Sequence, residues 1–365
     1  MSFIKSEIVN KMCKTKIKNL LSFFILILIS VFQMNCNDST VINQVLEAPL
    51  PGRRDYVWTV DTLSKINSSN NYNILCGTSP QNVWCFSDNG DAGARMLHFD
   101  GKTLSSVSAN VPVKAAFGLS SDEIWLADNN NAIWLYKGGQ LRKAADLTLP
   151  GYGKVYINDI WGEKNGGLFA AGSAETINHD SLLAVILRYD GDCWKYVVKP
   201  SENVQFMGVR TGINTGGNLY LKAYKTGKSA EDSSGFYECN GEKLKRLYLG
   251  KGAPYNEAGI LLAGNELYFA FNNKIHSLQN GEFIPVVNLN GYALYSTGYL
   301  YGRSIKDFFV FMNDGVGHYN GTDLQTIYKA DWGLGFLGGA VFDNEVFFLC
   351  SDVKGISYLL HGKLK

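Results

Sequence analysis

Residues 156–198 read YINDIWGEKNGGLFAAGSAETINHDSLLAVILRYDGDCWKYVV. Four short apolar segments lie in this stretch: Tyr156–Gly162, Gly167–Gly172, Leu183–Tyr189 and Cys193–Val198. Each has the length of a β-strand and is bounded by turn residues. The third ends in Leu187-Arg188-Tyr189-Asp190-Gly191, an aromatic strand end followed by a polar residue and glycine. An Asp-Gly pair suits a type I′ hairpin turn, in which both central residues need positive φ. Four strands joined by tight turns make an antiparallel meander.

The unit recurs along the chain. Leu97-His98-Phe99-Asp100-Gly101 and His318-Tyr319-Asn320-Gly321 repeat the strand end closely, and weaker copies end at Gly139, Gly241, Gly281 and Gly362. The closing glycines 101, 139, 191, 241, 281, 321 and 362 are spaced by about 38, 52, 50, 40, 40 and 41 residues, the period of a four-stranded propeller blade. Second strands recur as Asn82–Phe86, Glu123–Ala127, Asn218–Leu221, Glu266–Ala270, Asp307–Phe311 and Glu345–Leu349. Each opens on a polar residue and then reads as a half-buried alternation.

The loose ends match. The last unit stops at Lys365, after an expected turn at His361-Gly362, with no room for an outer strand. A spare strand stands at the other end, in residues 55–63. The expectation is therefore an all-β chain forming a single seven-bladed β-propeller of four-stranded blades, closed by residues 55–63 completing the last blade. A large β-sandwich is the rival, and the near-constant period disfavours it.

The domain plan is a leader (1–35), a tether (36–54) and the propeller (55–365). The leader has a basic n-region and the apolar run LLSFFILILISVF (20–32), short for a membrane span and suited to a signal-peptide core. Cys36 follows as a candidate lipid-attachment residue; ordinary cleavage and an uncleaved anchor compete with it, and all three export the rest of the chain. Met12 is an alternative start. The formal net charge is +1, and without the leader the chain is slightly acidic, which excludes the basic footprint of a nucleic-acid binder.

Residues 74–84 (ILCGTSPQNVW) and 160–172 (IWGEKNGGLFAAG) resemble a motif of secreted bacterial β-propeller lipoproteins: Ile-Trp-Gly, a Ser-Pro-type turn, Val-Trp and an apolar strand, completed by Tyr-Asp-Gly. The resemblance spans nearly the whole chain after the leader and is sharpest in two or three units. It implies fold and an exported, surface location; proteins of this kind are of largely uncharacterised function, so it implies no activity.

Chemistry-bearing residues are sparse. His98, His276 and His318 fall near one repeat position on third strands and read as structural. Cys76, Cys85, Cys193, Cys239 and Cys350 read as free thiols, with a Cys76–Cys85 contact left open. No metal spacing, phosphate loop or nucleophile elbow occurs, and no cofactor is implied. Asp88-Asn89-Gly90-Asp91 reads as a turn. Trp84, Trp125 and Trp161 read as blade packing, and Trp332 stands in a connector.

The informative irregularity is length. Units three and four exceed their neighbours by about ten residues, placed between second and third strands in Ser173–Ser181 and Tyr224–Ser234. In a propeller those connections lie at the channel mouth, where long loops on a rigid scaffold carry function. The candidate binding rim is Glu175, His179, Asp180, Tyr224, Lys225, Lys228, Glu231 and Asp232. The expected function is a binding or scaffolding module for a protein or glycan of the cell envelope, held by a lipid anchor. The alternative is a glycan hydrolase or lyase with paired acids at the mouth.

Overall fold

The computed structural model describes residues 50–63, 71–89, 95–163, 167–212, 215–225, 233–251, 258–330 and 335–365. The chain divides into two compact units, Met1–Ala48 and Pro49–Lys365. The leader and Cys36 lie outside the described residues.

Strand β1 (Tyr56–Thr62) is followed by β2 (Tyr72–Ser79), β3 (Asn82–Ser87), β4 (Met96–Phe99) and β5 (Leu104–Val107). Next come β6 (Val113–Ser120), β7 (Glu123–Asp128), β8 (Ala132–Lys137), β9 (Gln140–Asp146), β10 (Tyr152–Glu163), β11 (Gly167–Thr176), β12 (Leu182–Tyr189) and β13 (Trp194–Val198). The series continues with β14 (Gln205–Arg210), β15 (Leu219–Lys225), β16 (Ser233–Asn240), β17 (Lys243–Lys251), β18 (Gly259–Ala263), β19 (Glu266–Phe271), β20 (Lys274–Gln279) and β21 (Glu282–Asn288). Last are β22 (Leu294–Ser304), β23 (Asp307–Met312), β24 (Gly315–Tyr319), β25 (Leu324–Lys329), β26 (Gly335–Val341), β27 (Glu345–Ser351) and β28 (Ser357–Leu364).

Five sheets have four strands: β2–β5, β6–β9, β10–β13, β14–β17 and β1-β28-β27-β26. The sixth has eight, in which the meanders β18–β21 and β22–β25 are joined by one parallel pairing of Ala263 with Gly302. The first strands of successive meanders touch in order, β2, β6, β10, β14, β18, β22 and β26, and β26 touches β2, so the ring closes.

β1 pairs antiparallel with β28, from Tyr56 opposite Leu364 to Thr62 opposite Tyr358. The strand is held beyond its ladder too. Arg54 donates to Asp323 Oδ1 (2.8 Å) and to the carbonyl of His318 (2.9 Å) in the neighbouring meander. The spare N-terminal strand therefore supplies the outer edge that the C-terminal meander lacks.

Two local expectations are corrected. Second strands are buried on both faces rather than alternating: all six residues of β3 and five of six in β7, β19 and β23 are buried. They sit between neighbouring meanders, and each apolar cluster draws on two of them. Phe309 and Phe311 of β23, for example, pack with Phe348 and Cys350 of β27. Fourth strands such as β9 and β21 form the exposed perimeter.

The expected turn holds at Asn280-Gly281, a two-residue connection between β20 and β21 with φ of 51° and 84°, but not at the three clearest copies. Asp100, Asp190 and Asn320 each open a four-residue loop, and their Oδ1 accepts the two backbone N–H groups two and three residues on, at 2.7–3.1 Å. Only the glycine takes positive φ, at 94°, 101° and 91° for Gly101, Gly191 and Gly321. The side-chain carboxylate or amide closes an Asx turn, so the polar residue itself needs no left-handed conformation. His361 and Gly362, expected in a turn, lie within β28 opposite Thr59 and Trp58.

Candidate functional site

In each meander, the connections from second to third strand and from fourth strand to the next meander emerge at one end of the ring. The extra length of the third meander is found there, but it is built as strand. β11 has ten residues where β3, β7, β19 and β23 have six. At about 3.3 Å per residue, its hairpin with β12 stands roughly 13 Å taller. The tip is fastened: Thr176 Oγ1 donates to Asp180 Oδ1 (2.7 Å), and the His179 N–H donates to the Thr176 carbonyl (3.0 Å). His179 adopts φ 58°.

Beside this hairpin is a cleft of about 590 Å³ lined by Glu175, His179, Asp180, Tyr224 and Lys225 from the expected rim. Lys228, Glu231 and Asp232 lie outside the described residues. Lys114, Tyr156, Asn203 and Gln205 also line the cleft. Glu175 Oε1 pairs with His179 Nδ1 (2.9 Å), and its Oε2 accepts from the Tyr156 hydroxyl (3.4 Å). The His179 contact holds the Glu175 carboxyl below its usual range. A glycosidase general acid needs the opposite shift.

The channel wall was not legible as a site. Six first strands carry a one-residue bulge at an equivalent point, and in five of them the extra residue is Asn73, Lys114, Asn158, Met207 or Leu337. A bulge leaves its extra residue outside the pairing and re-aims its side chain. All five line the central channel, a space of about 510 Å³. Slips in the alternation of first strands were the available signal, and they look like noise without a register to compare.

Deeper in the channel is a charged cluster. Asp159 pairs with Arg210 and accepts the Val209 N–H at 2.8 Å. Arg210 also stacks over Trp161 at 4.9 Å, so this tryptophan faces the channel in addition to packing against Phe117. Lys222 of β15 is buried, with Nζ 5.4 Å from the Tyr299 ring centroid. Burial pushes the Asp159 carboxyl up against the opposing pull of Arg210. Burial pushes the Lys222 ammonium down to about 8, with Asp159 opposing.

The histidines answer the structural expectation. His98, His318 and His361 sit on third strands opposite Trp84, Phe309 and Phe347, with ring centroids 4.1–4.6 Å apart. Each donates from Nε2 to the residue that opens the second strand: Asn82 (2.8 Å), Asp307 (2.7 Å) and Glu345 (2.7 Å). His276 occupies a different register, stacked on Phe271 at 4.1 Å. The polar residue opening each second strand thus has a role as a histidine acceptor in three meanders.

Cys76, Cys85, Cys193, Cys239 and Cys350 are free thiols. Cys76 and Cys85 face Trp84 and Leu75 across the ladder rather than each other. Burial pushes Cys76 up to about 12 and Cys239 up to about 11. Asp88 pairs with Lys114 at 3.0 Å; Gly90, Asp91 and Trp332 lie outside the described residues. Among the described residues there is no group of metal-ligating side chains, and no helix long and apolar enough to cross a membrane.

No family model matches the chain, and no curated protein matches it. Solved structures do. YCF48 bound to D1 peptide is similar over 87% of this chain and 100% of its own, with 12% identity and a TM-score of 0.55. BBS1N in complex with ARL6DN is similar over 86% of this chain and 98% of its own, with 12% identity and a TM-score of 0.52. The extracellular domain of BT4673 from B. thetaiotaomicron is similar over 83% of this chain and 40% of its own, with 10% identity and a TM-score of 0.50. The fold is a β-propeller. At these identities the likeness carries the fold and nothing of the activity.

Proposed function

We propose that this chain is an exported binding module: a seven-bladed propeller, anchored through lipid on Cys36, that holds a segment of a protein partner in the cleft beside the β11–β12 hairpin. The seven-blade reading is supported by counting the eight-stranded sheet as two meanders joined at a single pairing. The observation that carries the binding reading is the raised hairpin walling a 590 Å³ cleft at the channel mouth. Ile177 at its tip is 63% exposed, an apolar contact offered to solvent beside charged neighbours. Propellers of the same fold have been solved with a peptide and with a protein partner, which supports a protein occupant.

A photoreactive residue in place of Ile177, in the full chain in its native cells, tests the reading. One discrete protein adduct is expected, lost on Glu175→Gln/His179→Ala and absent when the probe replaces Ile284 on the perimeter. Equal labelling from both positions would refute a partner at the cleft. Cys36→Ser is expected to release the protein from the membrane fraction; continued retention would refute the anchor.

A further inference from the structure

The third meander breaks a pairing that three others keep. In those three, a histidine on the third strand lies on an aromatic ring of the second strand and donates to the polar residue that opens it. Arg188 occupies the histidine's position. It stands opposite Phe169 as His98, His318 and His361 stand opposite Trp84, Phe309 and Phe347. The guanidinium keeps the ring contact, 5.7 Å over Phe169. The acceptor is gone. The other second strands open on Asn82, Asp307 and Glu345, whereas β11 opens on Gly167. A Cβ built at Gly167 would meet Arg188 Nε at 3.6 Å and Nη2 at 3.8 Å. Glycine therefore leaves room beside the guanidinium where an acceptor side chain stands elsewhere.

The fourth strand departs as well. His98, His318 and His361 are opposite neutral residues, Ser105, Gln325 and Thr59, but Arg188 is opposite Lys195. Like charges directly opposite in a ladder destabilise it. Asp190 Oδ2 pairs with Lys195 at 2.6 Å while its Oδ1 closes the turn. Among the described residues no carboxylate pairs with Arg188. A third cation faces the same seam. Arg188 and Lys195 share the face of Phe169, Ala171 and Ile186, which packs against the next meander, and Arg246, opposite Tyr237, lies on the face that packs back. All three cations are exposed at the perimeter. Glu202, the acid beside Tyr237, accepts from its hydroxyl. Stacking of the blades requires none of these changes. Together they remove an acceptor and gather cations around its place.

We infer that an acidic side chain of a protein partner takes the place of the missing acceptor, its carboxylate between Arg188 and Lys195 and a second acid of the same segment toward Arg246. A guanidinium fork takes a carboxylate in two parallel bonds. Two of the three acceptors in the other meanders are themselves carboxylates, Asp307 and Glu345, so the space suits an acidic side chain. The site is framed by the turns before the second strand and after the third, at the end of the ring away from the cleft. It goes beyond the cleft reading and stands whether or not the cleft holds a partner.

The test uses the full chain and Ac-Glu-Glu-Glu-Glu-NH2 as probe, with Ac-Gln-Gln-Gln-Gln-NH2 and dextran sulfate as controls, read by calorimetric titration at low and at raised salt. The acidic peptide is expected to bind, more weakly as salt rises, and the glutamine peptide to give no heat. Arg188→Gln/Lys195→Gln changes two exposed side chains. It is expected to fold and to bind the acidic peptide at least about tenfold more weakly, as loss of charged hydrogen-bond partners implies. Arg188→His, which installs the residue the other meanders use, is expected to fold and to weaken binding too. Lys143→Gln/Lys243→Gln removes the same charge from the neighbouring perimeter strands β9 and β17 and is expected to leave binding nearly unchanged. No heat with the acidic peptide, equal heat with the glutamine peptide, undiminished binding by the Arg188 variants, or an equal loss in Lys143→Gln/Lys243→Gln would overturn the inference. Dextran sulfate bound more tightly than the acidic peptide, and lost in the same variants, would assign the site to a sulfated polymer and overturn the protein partner.

Discussion

Two sectors of the ring spend their polar groups differently. Where β23–β24 and β27–β28 meet β1, polar side chains match one another: Asp307 with His318 and Glu345 with His361 recur by position, and Arg54 pairs with Asp323. Around β10, β14 and β15, the polar groups do not recur. Asp159, Arg210 and Lys222 have no counterparts in the repeat and face a cavity. Repetition marks what each blade needs in order to stack; departure from repetition, beside empty space, marks what this particular chain was built to contact. A histidine in this propeller is therefore weaker evidence of chemistry than a buried lysine.

The largest expected effect comes from breaking the matched sector. Asp307 accepts from the fully buried His318 and pairs with Arg303 at 3.2 Å. Asp307→Ala strands both partners and is expected to cost about 3–5 kcal/mol in guanidinium unfolding. Asp307→Asn, which keeps an acceptor for His318, is expected to recover part of that loss. If Asp307→Ala costs no more than an exposed substitution, the acceptor role of the second-strand opener is wrong.

The unmatched sector is tested by its pH dependence. Lys222→Met removes a desolvated ammonium from the channel wall. Lys222 is held at about 8 in the fold against 10.5 when exposed. Between those values the unfolded chain binds the extra proton, so this group makes stability rise with pH, by up to about 3 kcal/mol. The buried thiols of Cys76, Cys239 and Cys350, pushed up by burial, act in the other direction above pH 9. The Lys222 contribution is therefore read as the difference between wild type and Lys222→Met, with Asp159 and Arg210 unchanged. The histidines titrate in another window. Burial lowers His318 of the matched sector, and His98 and His276 elsewhere in the ring, so stability is expected to fall as pH drops below 6.5. A difference curve that is flat from pH 8 to 10.5 would show that Lys222 is not a buried cation.

These contrasts also explain what was readable in advance. The repeat was legible because Tyr189-Asp190-Gly191 and its copies solve one local problem, a tight connection. The turn type holds at Asn280-Gly281 but differs at Asp190 and Asn320, which supply the closing hydrogen bonds from their side chains, and composition alone does not distinguish these from positive φ. The closing strand was legible from its lack of a partner in sequence. The excess length was legible, and five residues of the candidate rim, Glu175, His179, Asp180, Tyr224 and Lys225, line one cleft. The channel cluster was not, because Asp159, Arg210 and Lys222 come from three strands and converge only through the ring.

A smaller effect tests the turn itself. Asn320 Oδ1 accepts from the N–H groups of Thr322 and Asp323 at 3.0 and 3.1 Å. Asn320→Ala is expected to cost about 1 kcal/mol, and Asn320→Asp to retain most of the stability. A type I′ turn would instead favour Asn320→Gly, and a gain from that substitution would restore the simpler reading.

The smallest expected effect on stability lies at the rim, and its smallness is informative. Glu175 and His179 are bonded to each other at the edge of the cleft, with the His179 side chain 69% exposed. Exposed ion pairs contribute little because solvent screens them and ordering long side chains costs entropy. Glu175→Gln is therefore expected to leave Tm unchanged while weakening the cross-link from position 177. The matched pair Asp307–His318, a carboxylate and an imidazole likewise, is expected to behave in the reverse way: its loss lowers stability and leaves the cross-link from position 177 unchanged. If Glu175→Gln lowers Tm as Asp307→Asn does, the β11–β12 hairpin belongs to the scaffold, and the distinction between repeated and unrepeated polar groups fails at the point where it was meant to locate function.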